Sequence, residues 1–283
     1  MVLRRHFFLL ICLFFIGCTP KTSTSGKITI GIVNFGQEER SLEKYMTLKN
    51  YLGAELKSII EIEPAFNEIK AIEAIKRQNW DLVFAPAGLA AVAISEAEYK
   101  PILPLATGQQ ERSIIVVLAK SSISNLSNLG QKTLALGQPG SATGYYLPIY
   151  NLYGLTLKET IFTSNGKEIL SLIADKKADA GALSLAEYNR YRANFAFTTF
   201  RILHTDQHFI PGGAILVSPK ILPAQREKIR QALTNVSSSV AASAGYITNA
   251  PVPDYTYTIA VVKRVRPIAA RIRQKPAPLY EEK

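Results

Sequence analysis

The residues that could do chemistry cluster in the stretch GQPGSATGYYLP, Gly137 to Pro148, which holds three glycines, a serine and a threonine within its first eight residues. It follows a short apolar run and leads into a helical pattern. A glycine-rich turn between a strand and a helix aims several backbone N–H groups at one point, where the helix dipole adds positive potential. Such a turn suits a small oxyanion. The candidate contacts, by amide or hydroxyl, are Ser141, Ala142, Thr143, Gly144 and Tyr145. The alternative is that Ser141 or Thr143 only caps the helix.

A second turn of the same kind lies in the first half of the chain. Leu82 to Ala85 has the pattern of a buried strand, and Pro86 opens an alanine-rich helix as its first-turn residue. The small neighbours Ala87 and Gly88 would leave the backbone amides accessible. Because open α/β sheets bind ligands outside the carboxyl ends of their strands, we expect this turn to face the glycine-rich loop across a cleft. Phe35, after the first strand, would add an apolar wall. The alternative is an ordinary tight strand–helix connection.

Signatures of catalytic and metal sites are sparse. Beyond residue 18 the chain has two histidines, His204 and His208, but zinc needs three or four ligands and no third candidate lies at a familiar spacing. The chain has no G-x-S-x-G elbow, no H-E-x-x-H motif and no Walker lysine. The sequence therefore predicts a binding protein rather than an enzyme, without metal or cofactor. Arg112 could pair with the ligand or with an acid across a hinge, and we favour the structural role.

Strand and helix patterns alternate along the chain in two runs, which predicts parallel α/β sheets. The runs meet near residue 110 and again near residue 210, so we predict two α/β lobes with a ligand cleft and two hinge crossings. The first lobe would comprise residues 27–110 and 210–260, and the second lobe residues 111–209. The chain has 283 residues, of which 47% are hydrophobic, and this is enough for two modest cores.

The first 17 residues have the pattern of a secretory signal peptide. Arg4 and Arg5 precede an apolar run, Phe7 to Ile16, that is too short to span a bilayer comfortably. The run ends in Phe-Ile-Gly-Cys18, which resembles a bacterial lipobox whose cysteine is acylated and anchors the mature domain in a lipid bilayer. Residues 18–26 would then be the lipidated cysteine and a short tether. The alternative is an ordinary cleavable signal with an incidental cysteine.

The positive charge is concentrated near the C terminus. The formal net charge is +11, and it falls to +9 without Arg4 and Arg5. Residues 261–283 contain seven basic and two acidic residues and so carry more than half of that charge. The body is only mildly basic, which argues against nucleic-acid binding, since that requires a basic face on the folded domain. A basic C-terminal tail near anionic lipid headgroups and a solvated extension are both compatible with this pattern.

The order and spacing of four segments resemble the phosphate, phosphite and phosphonate substrate-binding proteins of ABC importers. The segments are Asp81 to Leu89, Arg112 to Leu118, Leu136 to Pro148 and Ala178 to Leu183. Within them, PGSATGY is similar to the family's Pro-Gly-Ser-Thr-Ser-Gly-Tyr anion loop, and ADAGA matches part of its Lys-Ala-Asp-Ala-Gly-Ala strand. The resemblance covers most of residues 27–240. It implies a two-lobed periplasmic-binding-protein fold of type II.

Several positions depart from the family pattern. Ala142 replaces a hydroxyl residue, and Leu89 stands where relatives often have a ligand-contacting tyrosine. A histidine that can touch a phosphonate corresponds to Gly166, and the acids that hold an aminophosphonate's ammonium correspond roughly to Ser184 and Gly213. A buried, unpaired ammonium would be costly. The resemblance therefore implies that phosphate, phosphite or a small alkylphosphonate fits better than 2-aminoethylphosphonate.

Two functions follow as hypotheses. The first is a lipid-anchored, monomeric receptor in the bacterial cell envelope that captures a small oxyanion between its lobes and hands it to an ABC permease in the membrane. The second is a membrane-anchored sensor or scaffold that keeps the fold but binds a different ligand, including one without phosphorus. The identity of neighbouring genes, a permease and an ATPase or a histidine kinase, would discriminate between them.

Overall fold

The computed structural model describes residues 26–33, 42–106 and 111–281. The predicted signal peptide, the lipidated Cys18, the tether as far as residue 25 and the apolar wall residue Phe35 lie outside these residues. Gly26, which the sequence placed in the tether, is the first residue of a strand. Among the described residues, no helix combines the length and the apolar character that crossing a bilayer requires.

Two five-stranded sheets organise the described residues. The strands are β1 (Gly26–Val33), β2 (Ser58–Ala65), β3 (Leu82–Ala85), β4 (Lys100–Pro104), β5 (Ser113–Leu118), β6 (Thr133–Leu136), β7 (Thr156–Leu157), β8 (Glu159–Phe162), β9 (Ala180–Ser184), β10 (Phe200–Thr205), β11 (Ala214–Val217) and β12 (Ala277–Pro278). The first sheet has the order β2-β1-β3-β11-β4 and the second the order β10-β5-β9-β6-β8. Strands β7 and β12 form a separate antiparallel pair.

Helices connect and cover these strands. They are α1 (Met46–Leu56), α2 (Glu68–Lys76), α3 (Ala87–Ala97), α4 (Leu147–Asn151), α5 (Gly166–Ala174), α6 (Leu185–Tyr191), α7 (Pro223–Asn235), α8 (Ser238–Ala244) and α9 (Thr256–Val265). Short helical turns precede α1 and α4, at Glu43–Tyr45 and Ala142–Tyr146. Asn67 caps α2, because its side chain accepts a hydrogen bond from the Lys70 amide at 2.9 Å.

The sheets are mixed, so the predicted parallel pairing holds for three strands of each sheet and not for the others. Strands β1, β2 and β3 are parallel to one another, as are β6, β8 and β9. Strand β11 is antiparallel to β3 and β4, and β5 is antiparallel to β9 and β10. Strands β5 and β11 are the first strands that follow the two crossings between the sheets, which lie between β4 and β5 and between β10 and β11. Each therefore enters its sheet from the crossing and runs against its neighbours.

Residues 261–281 are packed into the structure, so the interpretation of this segment as a solvated extension is wrong. Val262, Val265, Ile268, Ile272 and Leu279 are all fully buried. Helix α9 packs on α3, which covers the first sheet, and on α4, which belongs to the second. The following residues end in β12, which pairs with β7. Basic side chains alternate with these apolar residues, so the composition of the segment suggests an exposed tail although its apolar side chains are buried.

Candidate functional site

The glycine-rich loop after β6 is closed by its own hydrogen bonds. The Gly137 amide donates to the Gly144 carbonyl oxygen at 2.9 Å, and the Gly144 amide donates to the Ser141 hydroxyl oxygen at 3.0 Å. The capping role that the sequence allowed for Ser141 is therefore present. It leaves the hydroxyl hydrogen of Ser141 to donate elsewhere, because a serine hydroxyl is one donor as well as an acceptor. Capping and ligand binding by Ser141 are compatible.

The turn that begins at Ala142 offers backbone donors. Among the described residues, the amides of Ala142 and Thr143 donate to no acceptor. The turn continues directly into α4, so its dipole points the same way as that of the helix. The Ser113 hydroxyl donates to the Thr143 carbonyl oxygen at 2.6 Å and holds the turn against β5. The loop is thus a fixed structure with two free N–H groups at one end.

The first turn of α3 meets this loop directly. Pro86 is the N-cap residue of α3 rather than its first-turn residue, and it provides no side-chain cap for the amides that follow. A Cβ atom at Gly88 would overlap the carbonyl oxygen of Gly140 and lie 3.0 Å from the amide nitrogen of Ala142. Only a glycine permits this approach. The structure therefore brings together the two turns that the sequence singled out, one from each sheet.

An unforeseen acidic side chain lies at the same place. Glu68, the first residue of α2, is 1% exposed, and neither carboxylate oxygen has a partner among the described residues. A Cβ atom at Gly140 would overlap its Cγ, Cδ and Oε1 atoms, and Gly140 has a left-handed φ of 114°. Burial raises the pKa of Glu68 well above its ordinary value. In the sequence it resembles an ordinary first-turn acid that complements the helix dipole, so no signal singled it out.

The ring of Tyr145 lies on the other side of the loop. It packs edge-on against Tyr146, with ring centroids 5.1 Å apart, and against Phe162. It borders a cavity of about 480 Å³ that also contacts Arg266 and Arg273 of the C-terminal segment. Burial raises the pKa of Tyr145 to about 12, against the opposing charges of these two arginines. The Tyr145 side chain therefore lies beside the C-terminal segment of the chain rather than at the contact with α3.

A family model decides what kind of protein this is. The model of the periplasmic substrate-binding protein of phosphonate ABC transporters matches residues 30–257. The chain belongs to this family. Its members are solute-binding components, which confirms the prediction that the chain is not an enzyme, and their periplasmic character places it in the cell envelope. A comparison with curated proteins finds no match.

Solved structures show the same fold at low sequence identity. A Xanthomonas citri protein solved with a chloride ion is 20% identical, with a TM-score of 0.72 over 85% of this chain and 99% of that one. The PhnD1 protein of Prochlorococcus marinus, in complex with methylphosphonate, is 16% identical, with a TM-score of 0.64 over 86% and 99%. A binding component of a Pseudomonas aeruginosa phosphonate transporter is 15% identical, with a TM-score of 0.61 over 88% of each chain. These likenesses confirm the two-lobed periplasmic-binding-protein fold.

Two of the three positions that the resemblance relates to a ligand-binding histidine and acids, Gly166 and Ser184, lie at the Glu187 carboxylate. The Glu187 carboxylate accepts hydrogen bonds from the Gly166 amide at 3.0 Å and from the Ser184 amide at 3.2 Å. Its oxygens therefore cap α5 and α6. A Cβ atom at Gly213 would overlap the carbonyl oxygen of Ala85, so backbone fills that position. These contacts leave no open acid at the three positions.

Arg112, Asp206 and His208 lie near the two crossings between the sheets and pack against aromatic rings or against one another. The Arg112 guanidinium lies 4.0 Å from the centre of the Phe209 ring, a cation–π contact instead of the acid pair that the sequence suggested. The His208 ring stacks on Tyr257 at 3.7 Å, and its Nδ1 lies 3.1 Å from the Asp206 carboxylate. In the part of the chain that the structure describes, no three metal-ligating side chains come together.

Proposed function

We propose that this protein binds a small phosphorus oxyanion between the first turn of α3 and the turn that begins at Ser141. One observation carries this proposal: amide donors without internal acceptors, from helical turns of both sheets, meet at the contact between Gly88 and Gly140. Helix N termini favour anions because their free N–H groups and the dipole act together. The candidate contacts are the amides of Ala87, Gly88, Ala142 and Thr143, with the hydroxyls of Ser141 and Thr143; Gly144 contributes by holding the Ser141 hydroxyl through its own amide.

The oxyanion would hold the two lobes together. At Gly88 the two turns are already in van der Waals contact, so a ligand enters when the lobes separate and is enclosed when they close again. In the transporter the closed, loaded form would be the one handed to the permease. Acylation of Cys18 would keep the receptor at the membrane surface. The Phe35 wall would complete the cleft, and Tyr145 would contribute by packing the loop.

The ligands we propose are phosphate, phosphite and small alkylphosphonates. The Glu187 carboxylate already caps two helices, and backbone surrounds Gly213, so these family positions provide no partner for an ammonium. We therefore expect 2-aminoethylphosphonate to bind no better than ethylphosphonate. This comparison isolates the ammonium, because the two ligands share the phosphonate and the carbon chain.

Calorimetry with phosphate, phosphite and methylphosphonate tests the proposal on protein freed of copurifying anions. Replacement of Ser141 or Thr143 by alanine should weaken binding about 10- to 150-fold, since a hydrogen bond to a charged group contributes roughly 1.5–3 kcal/mol. Ser237→Ala is the matched control, because Ser237 also caps a helix but lies on α8, outside the candidate site. No heat with any of the three ligands, or wild-type affinity in both loop variants, would refute the proposal.

A further inference from the structure

Glu68 is the buried ionisable group that the proposed site does not use. Its carboxylate packs against Gly140 of the oxyanion loop, and Gly140 in turn contacts Gly88 of α3. Both carboxylate oxygens are buried and have no hydrogen-bond partner among the described residues. Glu68 therefore lies against the residue that joins the two amide-bearing turns, and no described residue donates a hydrogen bond to its oxygens.

Among the described residues, the ionisable groups around Glu68 do not neutralise it. The loop contributes Tyr146, whose pKa is raised by burial first and by the Glu68 charge next. The first turn of α3 contributes only Ala87, Gly88 and Leu89, none of which ionises. From the C-terminal segment Arg266 approaches Tyr146, but its guanidinium is bonded twice to Glu96, at 2.8 and 3.0 Å. On α2 itself, Lys76 pairs with the same Glu96 at 2.6 Å.

A buried carboxyl without a partner is costly, and such groups are retained where a ligand completes their hydrogen bonds. We propose that Glu68 and the bound oxyanion share one hydrogen, so that the cleft selects oxyanions that bring an acidic hydrogen of their own. This inference rests on the proposed function, and it names the ligand class further: a monoprotonated phosphorus oxyanion. The shared hydrogen lies between one carboxyl oxygen of Glu68 and one oxygen on phosphorus.

Position assigns Glu68 to the phosphoryl group rather than to a distant part of the ligand. The carboxyl touches the loop whose amides would hold the phosphorus oxygens, at the residue two before Ala142. A methylphosphonate monoanion carries a P–O–H hydrogen that the carboxylate can accept. Methanesulfonate has almost the same shape but no hydrogen at neutral pH. It can bind only when Glu68 itself takes up a proton, because otherwise two negative oxygens face each other.

The test compares methylphosphonate and methanesulfonate by calorimetry between pH 5 and 9, with wild-type protein, Glu68→Gln and Glu73→Gln. Glu73 is an exposed acid on the same helix and is the matched control. In wild-type protein we expect methanesulfonate affinity to fall by up to about tenfold per pH unit once the pH exceeds the pKa of Glu68, whereas methylphosphonate affinity should fall only where that ligand also loses its own hydrogen. Glu68→Gln always offers an amide donor, so the slope should vanish and the two affinities should converge. Glu73→Gln should behave as wild type.

The outcomes separate this inference from the proposed function. If neither ligand binds to the wild-type protein at any pH, both are refuted. If both bind but methanesulfonate shows no pH slope, or if Glu68→Gln retains the wild-type slope, only the shared hydrogen is refuted. If 2-aminoethylphosphonate binds at least tenfold tighter than ethylphosphonate through Glu68, the carboxyl serves an ammonium and the inference is overturned. Thermal unfolding of empty Glu68→Gln at pH 8 shows that the variant is folded, and removal of the buried acid should raise its melting temperature there.

Discussion

Replacement of Gly88 by alanine tests whether contact between the two turns is required for binding. Gly88 is the second residue of α3, and its Cα lies against the backbone of Gly140. An added Cβ would overlap the Gly140 carbonyl oxygen and come within 3.0 Å of the Ala142 amide nitrogen. Both neighbours are backbone atoms, so neither can move aside by a change of rotamer. The lobes must separate or the turn must shift.

The expected loss of affinity follows from the cost of overpacking. Extra atoms in a well-packed contact cost about 1–3 kcal/mol. Alanine also favours the helix over glycine by up to about 1 kcal/mol, but it does so whether the lobes are open or closed, and this gain cancels in the binding equilibrium. At about 1.4 kcal/mol per tenfold change, we expect Gly88→Ala to weaken methylphosphonate binding about 5- to 150-fold.

Gly53→Ala is the matched control. Gly53 lies within α1, a helix that, like α3, connects strands of the first sheet. An added Cβ there would make only ordinary contacts, 3.4 Å from the Ser58 carbonyl oxygen and 3.8 Å from Ile60. We expect unchanged affinity in this variant. Small-angle scattering should show a larger radius of gyration for Gly88→Ala than for Gly53→Ala. Wild-type affinity and radius in Gly88→Ala would refute the idea that these turns must meet around the ligand.

Two further predictions concern the C-terminal segment. Arg266→Ala should lower the free energy of unfolding by about 1–2 kcal/mol, since it removes two hydrogen bonds to a partly exposed Glu96. Burial alone would raise the pKa of Glu96, but its hydrogen bonds with Arg266 and Lys76 hold that pKa below the ordinary value of 4.5. The stabilisation is therefore present above pH 4.5 and is lost as the pH falls through the lowered pKa of Glu96 in the folded protein. The free energies of unfolding of Arg266→Ala and wild type, measured in urea, should therefore converge in acid. A difference that persists at pH 2 would contradict this. Ile272→Ala should cost about 2–5 kcal/mol because its side chain is fully buried, whereas no change in the urea midpoint would indicate a solvated tail.

Strands that are buried on both faces could be read from the sequence because they are continuous apolar runs. Leu82–Ala85, for example, has the predicted bounds. The direction of a strand leaves no such signal, so the antiparallel direction of the two strands after the crossings could not be read from the sequence. Strand β4 was missed for a different reason. Its sequence KPILP begins and ends near proline, which is typical of a loop or an edge strand, and β4 is an edge strand of the first sheet.

The apolar residues of the C-terminal segment have helical spacing in the sequence, but the basic residues between them obscure this pattern. Val261, Val262, Val265 and Ile268 recur at helical spacing and form the buried side of α9 and the turn after it. Arginines between them dominate the composition of the segment, and their long side chains cover apolar surface while the charge remains outside. The guanidinium of Arg264, for example, lies 3.9 Å from the centre of the Tyr153 ring. Net charge describes the surface of such a segment and says little about its core.

The candidate site also explains how an anion could be held without a basic side chain. Neither Pro86–Leu89 nor Gly137–Tyr145 contains lysine or arginine. Each helix N terminus contributes about half an elementary positive charge, and two of them converge here. Together they balance about one negative charge. A phosphorus oxyanion that retains a hydrogen carries one negative charge and shares that hydrogen with the Glu68 carboxylate, so the pair carries two negative charges. The same anion without that hydrogen would raise the total to three, which the two dipoles offset far less. The backbone dipoles and the buried acid therefore favour the same protonation state of the ligand.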